Sequence, residues 1–386
     1  MNSRLRALID ARMLVGRFSG VARVVTCLLR EFARGKEVEP VALVGASDDG
    51  KALTDLGIET LRCDFDRADR EPMRRRCWEE HSLAEWIRAA RADVYHATWN
   101  SGIPRDCSVP AVLTIHDLIP WNAPITSGAS FLARRAYRRS IRDSARRADR
   151  VTAVSEFTRG ETLRTFGLPP DKIHTVANGV DAPPRTNVEP QRSGNPFVLY
   201  VGGHEPRKNV HLVLRAMSTY WRRHAMDLEL HLTGSRESLD TATVLDSRVH
   251  SELVRFLGGP SDDELHAEYT QASSLLMLSR AEGFGLPVLE AMARGCPVIA
   301  APLAALPEVG GDAACYVDPN DADSVADAIH QLRTDSTFRA ARVRAGFDQA
   351  SRFSWTESAR RTVAVYQGAI RMYRNELLSA GRFNSR

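Results

Sequence analysis

The six cysteines, Cys27, Cys63, Cys77, Cys107, Cys296 and Cys315, lie far apart and form no C-x-x-C pair. They offer neither a zinc ligand set nor a disulfide framework, and they suit a reducing, cytoplasmic compartment. Long apolar runs are also missing. No segment approaches the roughly 18 to 20 uninterrupted apolar residues of a membrane span, and the apolar stretch Leu5 to Ile9 is too short for the core of a signal peptide. Any membrane contact is therefore expected to be peripheral. Nor is there an excess of one charge: 52 Lys and Arg against 48 Asp and Glu leave +4, too little to argue for a nucleic-acid partner.

What is present is the composition of a folded protein, 43% hydrophobic and 26% charged over 386 residues. That length favours two domains, each able to bury its own core. Short apolar runs alternate with amphipathic stretches, as in parallel strands joined by crossover helices. In the first half the strands are expected at Arg6 to Asp10, Val41 to Val44, Asp93 to His96, Ala111 to Ile115, Arg150 to Val154 and Ile173 to Val176. Helices are expected at Gly20 to Phe32 and Leu83 to Ala90. Residues 181 to 196 carry four prolines and almost no apolar side chain, which places an interdomain linker at 185–196 between a domain at 1–184 and another at 197–352. The alternation restarts with strands expected at Phe197 to Val201, Glu229 to Leu232, Val254 to Leu257, Ser274 to Leu278, Pro297 to Ala300 and Cys315 to Val317. A final segment, 353–386, holds a helix with Val363, Tyr366, Ile370, Tyr373 and Leu377 on one stripe. The fold class is thus expected to be α/β, with two Rossmann-like domains that make a cleft possible.

The strongest chemical signal is the run from Ser279 to Gly295, SRAEGFGLPVLEAMARG. It follows an apolar strand and opens a helix whose first turn holds Pro287, where a missing N–H is harmless. Gly283 and Gly285, flanking Phe284 and followed by Leu286, let the backbone approach a ligand, and the free N–H groups favour an anion. Glu290 sits among apolar helix residues and is expected to be buried, so it needs donors, which sugar hydroxyls can supply. Glu282 would face the other end of the same ligand. Taken singly, each glutamate is as well explained by an arginine partner or by solvent.

A second site follows the first strand of the second domain, Val201-Gly202-Gly203-His204-Glu205-Pro206-Arg207-Lys208-Asn209. Ligands of open α/β sheets collect at the carboxyl ends of strands, and Arg207 and Lys208 there can neutralise a diphosphate. In the first domain His116, followed by Asp117, lies just beyond a strand, either as a site residue or as a satisfied loop histidine. The loop with Arg17, Ser19 and Gly20 leads into a helix after strand one. Asp262-Asp263 reads as the solvated start of a helix and not as a metal site.

These motifs together resemble the retaining glycosyltransferases of the GT-B fold, family 4, which implies two Rossmann-like domains facing each other across a cleft and a C-terminal helix packing back toward the N-terminal domain. The resemblance implies that Glu282 and Glu290, spaced E-x7-E, hold the donor sugar and the nucleotide ribose, and that Arg207 and Lys208 grip the donor diphosphate. It places His116 near the transferred sugar, with Gly20, Gly202, Gly203, Gly283, Phe284, Gly285 and Leu286 on the donor side and Arg17, Ser19 and Asp117 on the acceptor side. Base contacts would come from backbone near Gly234 and Leu257-Gly258, and Ala304 to Glu308 would lie near the diphosphate. Departures are Gly203 where many relatives carry arginine, and Val21-Ala22 in place of Ile-Gly. The implied reaction moves a hexose, mannose or a deoxyhexose favoured, from a nucleotide-diphosphate sugar such as GDP-mannose to a glycan or lipid-linked glycan, with no metal or other cofactor. Surface-polysaccharide assembly, as in lipopolysaccharide, is the implied setting. A GT-B nucleotide-sugar epimerase or a non-catalytic nucleotide-sugar-binding protein are the rival readings.

Eight arginines between Arg134 and Arg150 suggest one further surface. On a helix, Arg134, Arg138, Arg142, Arg146 and Arg150 are expected along one side. That side is either a docking face for anionic lipid at the cytoplasmic face of the inner membrane, or a solvated face partly neutralised by Asp143 and Asp149.

Overall fold

The computed structural model describes residues 4–14, 20–48, 50–66, 72–122, 131–181, 195–224, 227–239 and 251–379. The chain divides into two compact units, Met1–Gly179 together with Trp355–Arg386, and Val180–Ser354. The expected linker at 185–196 falls almost wholly outside the described residues.

In unit 1 the order is β1 (Leu5–Asp10), α1 (Gly20–Arg34), β2 (Val38–Val44), α2 (Lys51–Thr54), β3 (Glu59–Arg62), α3 (Pro72–His81), α4 (Leu83–Ala89), β4 (Val94–Ala97), β5 (Ala111–Ile115), α5 (Ile119–Asn122), α6 (Phe131–Arg147), β6 (Arg150–Ala153), α7 (Glu156–Phe166) and β7 (Ile173–Thr175). The seven parallel strands lie in the order β3-β2-β1-β4-β5-β6-β7. Unit 2 runs β8 (Phe197–Tyr200), α8 (Val210–Arg223), β9 (Glu229–Leu232), β10 (Val254–Phe256), α9 (Asp262–Gln271), β11 (Ser274–Met277), α10 (Leu286–Ala293), β12 (Val298–Ala300), α11 (Leu306–Gly310), β13 (Cys315–Tyr316), α12 (Ala322–Thr334) and α13 (Ser336–Ala350). Its sheet order, β10-β9-β8-β11-β12-β13, is that of the doubly wound dinucleotide-binding fold. In each sheet the order reverses between the first and fourth strands, β1 and β4 or β8 and β11. That reversal opens a crevice at the carboxyl ends of the strands.

The central strands are apolar throughout because helices cover both faces; every residue of β4, β5, β8 and β11 is buried. The last helix, α14 (Trp355–Ser379), belongs to unit 1 and packs on α1, β4, β5 and β6. Its expected stripe holds: Val363 and Tyr366 are buried, and Tyr373 Oη donates to the Ser108 carbonyl at 3.3 Å. Tyr366 Oη also meets His96 Nδ1 at 2.7 Å. The other ring nitrogen of His96 meets Thr114 Oγ1 at 2.7 Å, which lies 2.7 Å from Thr152 Oγ1. This polar thread crosses β4, β5 and β6 inside the core, with every member partnered as burial demands. Burial holds the His96 pKa down to about 3 and raises that of Tyr366.

One expectation fails in α6. Arg134 and Arg138 are half-buried, Arg138 with its guanidinium carbon 5.5 Å from the Trp121 ring centre, and Arg150 lies beyond the helix at the start of β6. The exposed arginines are Arg135, Arg139, Arg142 and Arg146. The buried face is Ile141, Ser144 and Ala145. The reason is geometric: at about 100° per residue, a step of four advances about 40°, so a run of i+4 positions winds around the helix instead of staying on one side.

Candidate functional site

The crevice of unit 2 is built from the chain leaving β8 and β11. After β8, Gly202 N donates to Thr233 Oγ1 at 2.9 Å, and Tyr200 Oη donates to the Gly203 carbonyl at 2.5 Å. A Cβ on Gly203 would meet the Glu205 carboxylate at 2.6 Å. A 3-10 turn, Pro206–Lys208, follows, and then Asn209 in the left-handed region at φ 58°. The buried Asn209 amide donates to the carbonyls of Leu278 at 3.2 Å and Pro319 at 2.9 Å, while Arg280 N donates to the Arg207 carbonyl at 2.8 Å. The loop after β8 is thereby stitched to the loop after β11.

That stitching brings three of the expected residues together. Lys208 Nζ lies 2.6 Å from Glu282 Oε1, and Arg207 Nη1 lies 3.7 Å from the same oxygen and 3.4 Å from the Ala281 carbonyl. Glu282 is 9% exposed, so the carboxylate is charge-compensated by two cations at the rim of the crevice. An ion pair taken this far out of water contributes little net stability. A ligand that brings both phosphates and hydroxyls can divide it, the cations turning to the phosphates and the carboxylate to the hydroxyls.

Eight residues on, Glu290 is 6% exposed on α10. Burial was expected to leave it in need of ligand donors; the protein supplies one itself, Tyr269 Oη donating to Glu290 Oε2 at 2.8 Å. Arg294 Nη1 donates to the Glu290 backbone carbonyl at 3.2 Å. Gly285 opens α10 at φ 103°, and a Cβ there would sit 2.9 Å from Leu306 Cδ2, so only glycine fits the turn. Phe284 is buried with its ring edge-on to Phe353, 5.9 Å between centres. Gly283 is buried and Leu286 half-buried, and Pro287 occupies the first turn as expected. The Ala305 N–H meets the Glu282 carbonyl at 3.4 Å, which sets the segment Ala304 to Glu308 beside the glycine loop. At the ends of β9 and β10, Gly234 and Gly258 form an antiparallel bridge, N–H to carbonyl 2.6 and 3.1 Å, and Leu257 N donates to the Leu232 carbonyl at 2.8 Å. Asp262 and Asp263 fall in the first turn of α9, capped by a Ser261–Glu264 capping box.

Unit 1 places the remaining expected residues. His116, 8% exposed, follows β5; its Nε2 meets the Thr98 carbonyl at 2.8 Å, which fixes the proton on that nitrogen. Asn100 clips the backbone on both sides, accepting from His116 N at 2.8 Å and donating to the Asp117 carbonyl at 2.9 Å. The Asp117 carboxylate accepts from Ile119 N at 3.0 Å. Gly20 is the exposed first residue of α1; Arg17 and Ser19 lie outside the described residues. At the end of β1, Asp10 and Arg12 form a fully buried pair at 2.8 Å, with Glu79 3.7 Å from Arg12. Asn100, Asn209 and Tyr269 were not singled out from sequence. The one available signal was Tyr269, the single aromatic in the mostly polar run DDELHAEYTQ.

Comparison with known proteins bears on both halves. Residues 18–182 match the model of Glycosyltransferase Family 4, and residues 185–349 that of Glycosyl transferases group 1. The chain is 29% identical to O-antigen chain mannosyltransferase B of Escherichia coli, over 90% of this chain and 96% of that one. It is 33% identical to the MMP alpha-(1->4)-mannosyltransferase of Mycolicibacterium hassiacum over 58% of this chain, spanning 56% of that protein. Among solved structures, sucrose-phosphate synthase from Thermosynechococcus elongatus superposes with a TM-score of 0.73 at 18% identity, covering 94% of this chain and 98% of that one.

Proposed function

The chain belongs to glycosyltransferase family 4, with a group 1 transferase domain in its carboxyl half, and we propose that it moves mannose from a nucleotide-diphosphate donor to a surface glycan. One observation carries this reading: the Lys208–Glu282–Arg207 cluster stands at the crevice of unit 2 with the Tyr269-held Glu290 one helix turn beyond the glycine loop. Cations for phosphates and carboxylates for hydroxyls are then presented at the carboxyl ends of two neighbouring strands. The mannosyltransferase relatives favour mannose, and GDP-mannose is the donor to test first.

In the reaction the bond from the sugar C1 to the diphosphate oxygen breaks and a bond from C1 to the acceptor oxygen forms on the same face. The acceptor proton passes to the departing phosphate oxygen. Arg207, Lys208 and the amide-rich start of α10 stabilise the charge that develops on the diphosphate, work a divalent metal performs elsewhere. His116, with its proton fixed on Nε2, presents the Nδ1 lone pair to sugar or acceptor hydroxyls. Glu282 and Glu290 orient the donor, and turnover persists in chelator.

The assay is mannose transfer from GDP-mannose to a lipid-linked glycan, with the anomeric configuration of the product read by NMR. Retention is expected, together with a loss of about 100-fold in Lys208→Ala and in Glu290→Ala, the sum of one or two charged hydrogen bonds in the transition state. Near-normal rates in both variants, or interconversion of free nucleotide sugars without acceptor, defeat the reading.

The acceptor side also bears on location. Among the described residues no helix is long and apolar enough to cross a membrane. The exposed face of α6 carries Arg135, Arg139, Arg142 and Arg146 below Leu132, which is 65% exposed, and α3, packed on α6, offers Met73 at 57%. Apolar tips beside a basic face suit an anionic membrane surface, at about 1 kcal/mol per arginine near the lipid. Cosedimentation with vesicles should require phosphatidylglycerol and fall when these four arginines become glutamine.

A further inference from the structure

Between α14 and the β6–β7 edge of unit 1 runs a groove whose two adjoining chambers measure about 430 and 580 Å³ and share Arg150, Gly368 and Arg371. It begins at Arg150, the first residue of β6, whereas His116 follows the last residue of β5. From Arg150 it runs to Thr175 and Val176 at the carboxyl end of β7, and neither His116 nor Glu282 lines it.

Its floor is Gly368. A Cβ built there would lie 3.6 Å from Arg150 Nε and 4.0 Å from Arg371 Nη2, so two guanidinium groups converge on one point above a residue with no side chain. Among the described residues neither arginine has a carboxylate partner, whereas Arg360 and Arg361, two turns before Gly368 on the same helix, share Glu357 at 2.7 Å each. Arg150 is held in place through Nη1, which donates to the Asp149 carbonyl at 2.9 Å. Two like charges converging on one point repel each other, and Glu376, which lines the same chamber, forms no ion pair with either among the described residues. A second observation is independent of charge: among the described residues the Thr175 hydroxyl oxygen, in the groove wall, is buried with no hydrogen-bond partner, a condition that is costly unless a ligand or a small side-chain rotation relieves it. His174 beside it is held below the ordinary histidine range by burial and by Arg150 and Arg159, a sign of the positive potential there. Asn375, Glu376 and Ser379 line the far chamber, a set of groups suited to hydroxyls.

We infer that this groove is a second ligand site, binding a phosphate ester with a small polyhydroxylic body: the phosphate over Gly368 between Arg150 and Arg371, the hydroxyls against Thr175 and the far chamber. Arginine forks match phosphate oxygens two at a time, and the volume exceeds what a bare ion needs. This inference does not depend on the identity of the transferred sugar.

Calorimetric titration of the full chain with glucose 6-phosphate tests it. Saturable binding is expected, weakened about tenfold in Arg371→Gln, the loss of one charged hydrogen-bond pair, and weakened also in Gly368→Ala, whose methyl enters the phosphate position. Lys208→Ala should bind as the unaltered chain does. Arg371 is exposed and alanine favours the helix, so neither substitution threatens folding. No saturable binding, equal binding in Arg371→Gln, or a loss confined to Lys208→Ala would overturn the inference. So would vesicles containing phosphatidylglycerol that require Arg371 while glucose 6-phosphate does not bind, since the groove would then serve a lipid surface.

Discussion

The two sheets share a strand order and a crevice position, yet they treat charge there in opposite ways. Where the chain leaves β1, Asp10 and Arg12 neutralise each other with no exposure at all. In unit 2, Lys208 from the loop after β8 and Glu282 from the loop after β11 make a pair just as close but leave 12% and 10% of their side chains open. Strand ends of one topology thus hold a sealed brace in unit 1 and a partly open ion pair in unit 2. Around His116, unit 1 relies on neutral bonds to backbone instead: the Thr98 carbonyl and the Asn100 clip. Shared topology fixes where a ligand can sit, and side chains at the strand ends decide which chemistry it meets.

The sharpest way to break this contrast is Glu282→Gln, which leaves two cations without their carboxylate. Turnover should fall by about 100-fold or more, and a donor titration should show the sugar's contribution to affinity lost while nucleoside diphosphate alone binds no more weakly than before. Next in size, His116→Ala should lower kcat by about 30-fold with nucleotide affinity unchanged, a size typical of one positioned acid–base or hydrogen-bonding group; a matching loss of nucleotide affinity would erase the division between the units. Asn209→Ala removes two buried hydrogen bonds and puts alanine in the left-handed region, so the unfolding free energy should drop by about 2 to 3 kcal/mol, with Asn209→Gly recovering the backbone part only. The smallest effect is in acid. His96 stays neutral in the fold down to about pH 3, against an ordinary value of 6.5. Between those values the unfolded chain binds the extra proton, so stability declines as pH falls below 6.5, by at most about 1.4 kcal/mol per unit. Denaturant midpoints taken between about pH 6.5 and 5 should slope accordingly, and His96→Gln should flatten the slope.

Twelve of the strands were legible because each is an apolar run bounded by turn residues. β3, Glu-Thr-Leu-Arg, was not, since an edge strand needs no apolar run; Arg6 ties it down through Glu59 at 2.7 Å. The E-x7-E spacing and the basic pair were legible because their signal is local. The partners that position them were not: Asn209 bonds to carbonyls 69 and 110 positions away, and Tyr269 reaches Glu290 across 21. Such contacts exist only once the strands are ordered. The arginine face of α6 was read from spacing alone, and the structure turned it toward Arg135 and Arg139.

The thread from Tyr366 through His96 to Thr152 also governs the order of assembly. Unit 2 is one unbroken stretch of chain, whereas the sheet of unit 1 is completed by a helix that follows unit 2 in the sequence. On the ribosome, the apolar faces of β4, β5 and β6 must wait for some two hundred residues before their cover emerges. During synthesis the sheet of unit 1 is therefore left with an apolar face uncovered for longer than that of unit 2, and a chain cut short ahead of α14 leaves that face bare.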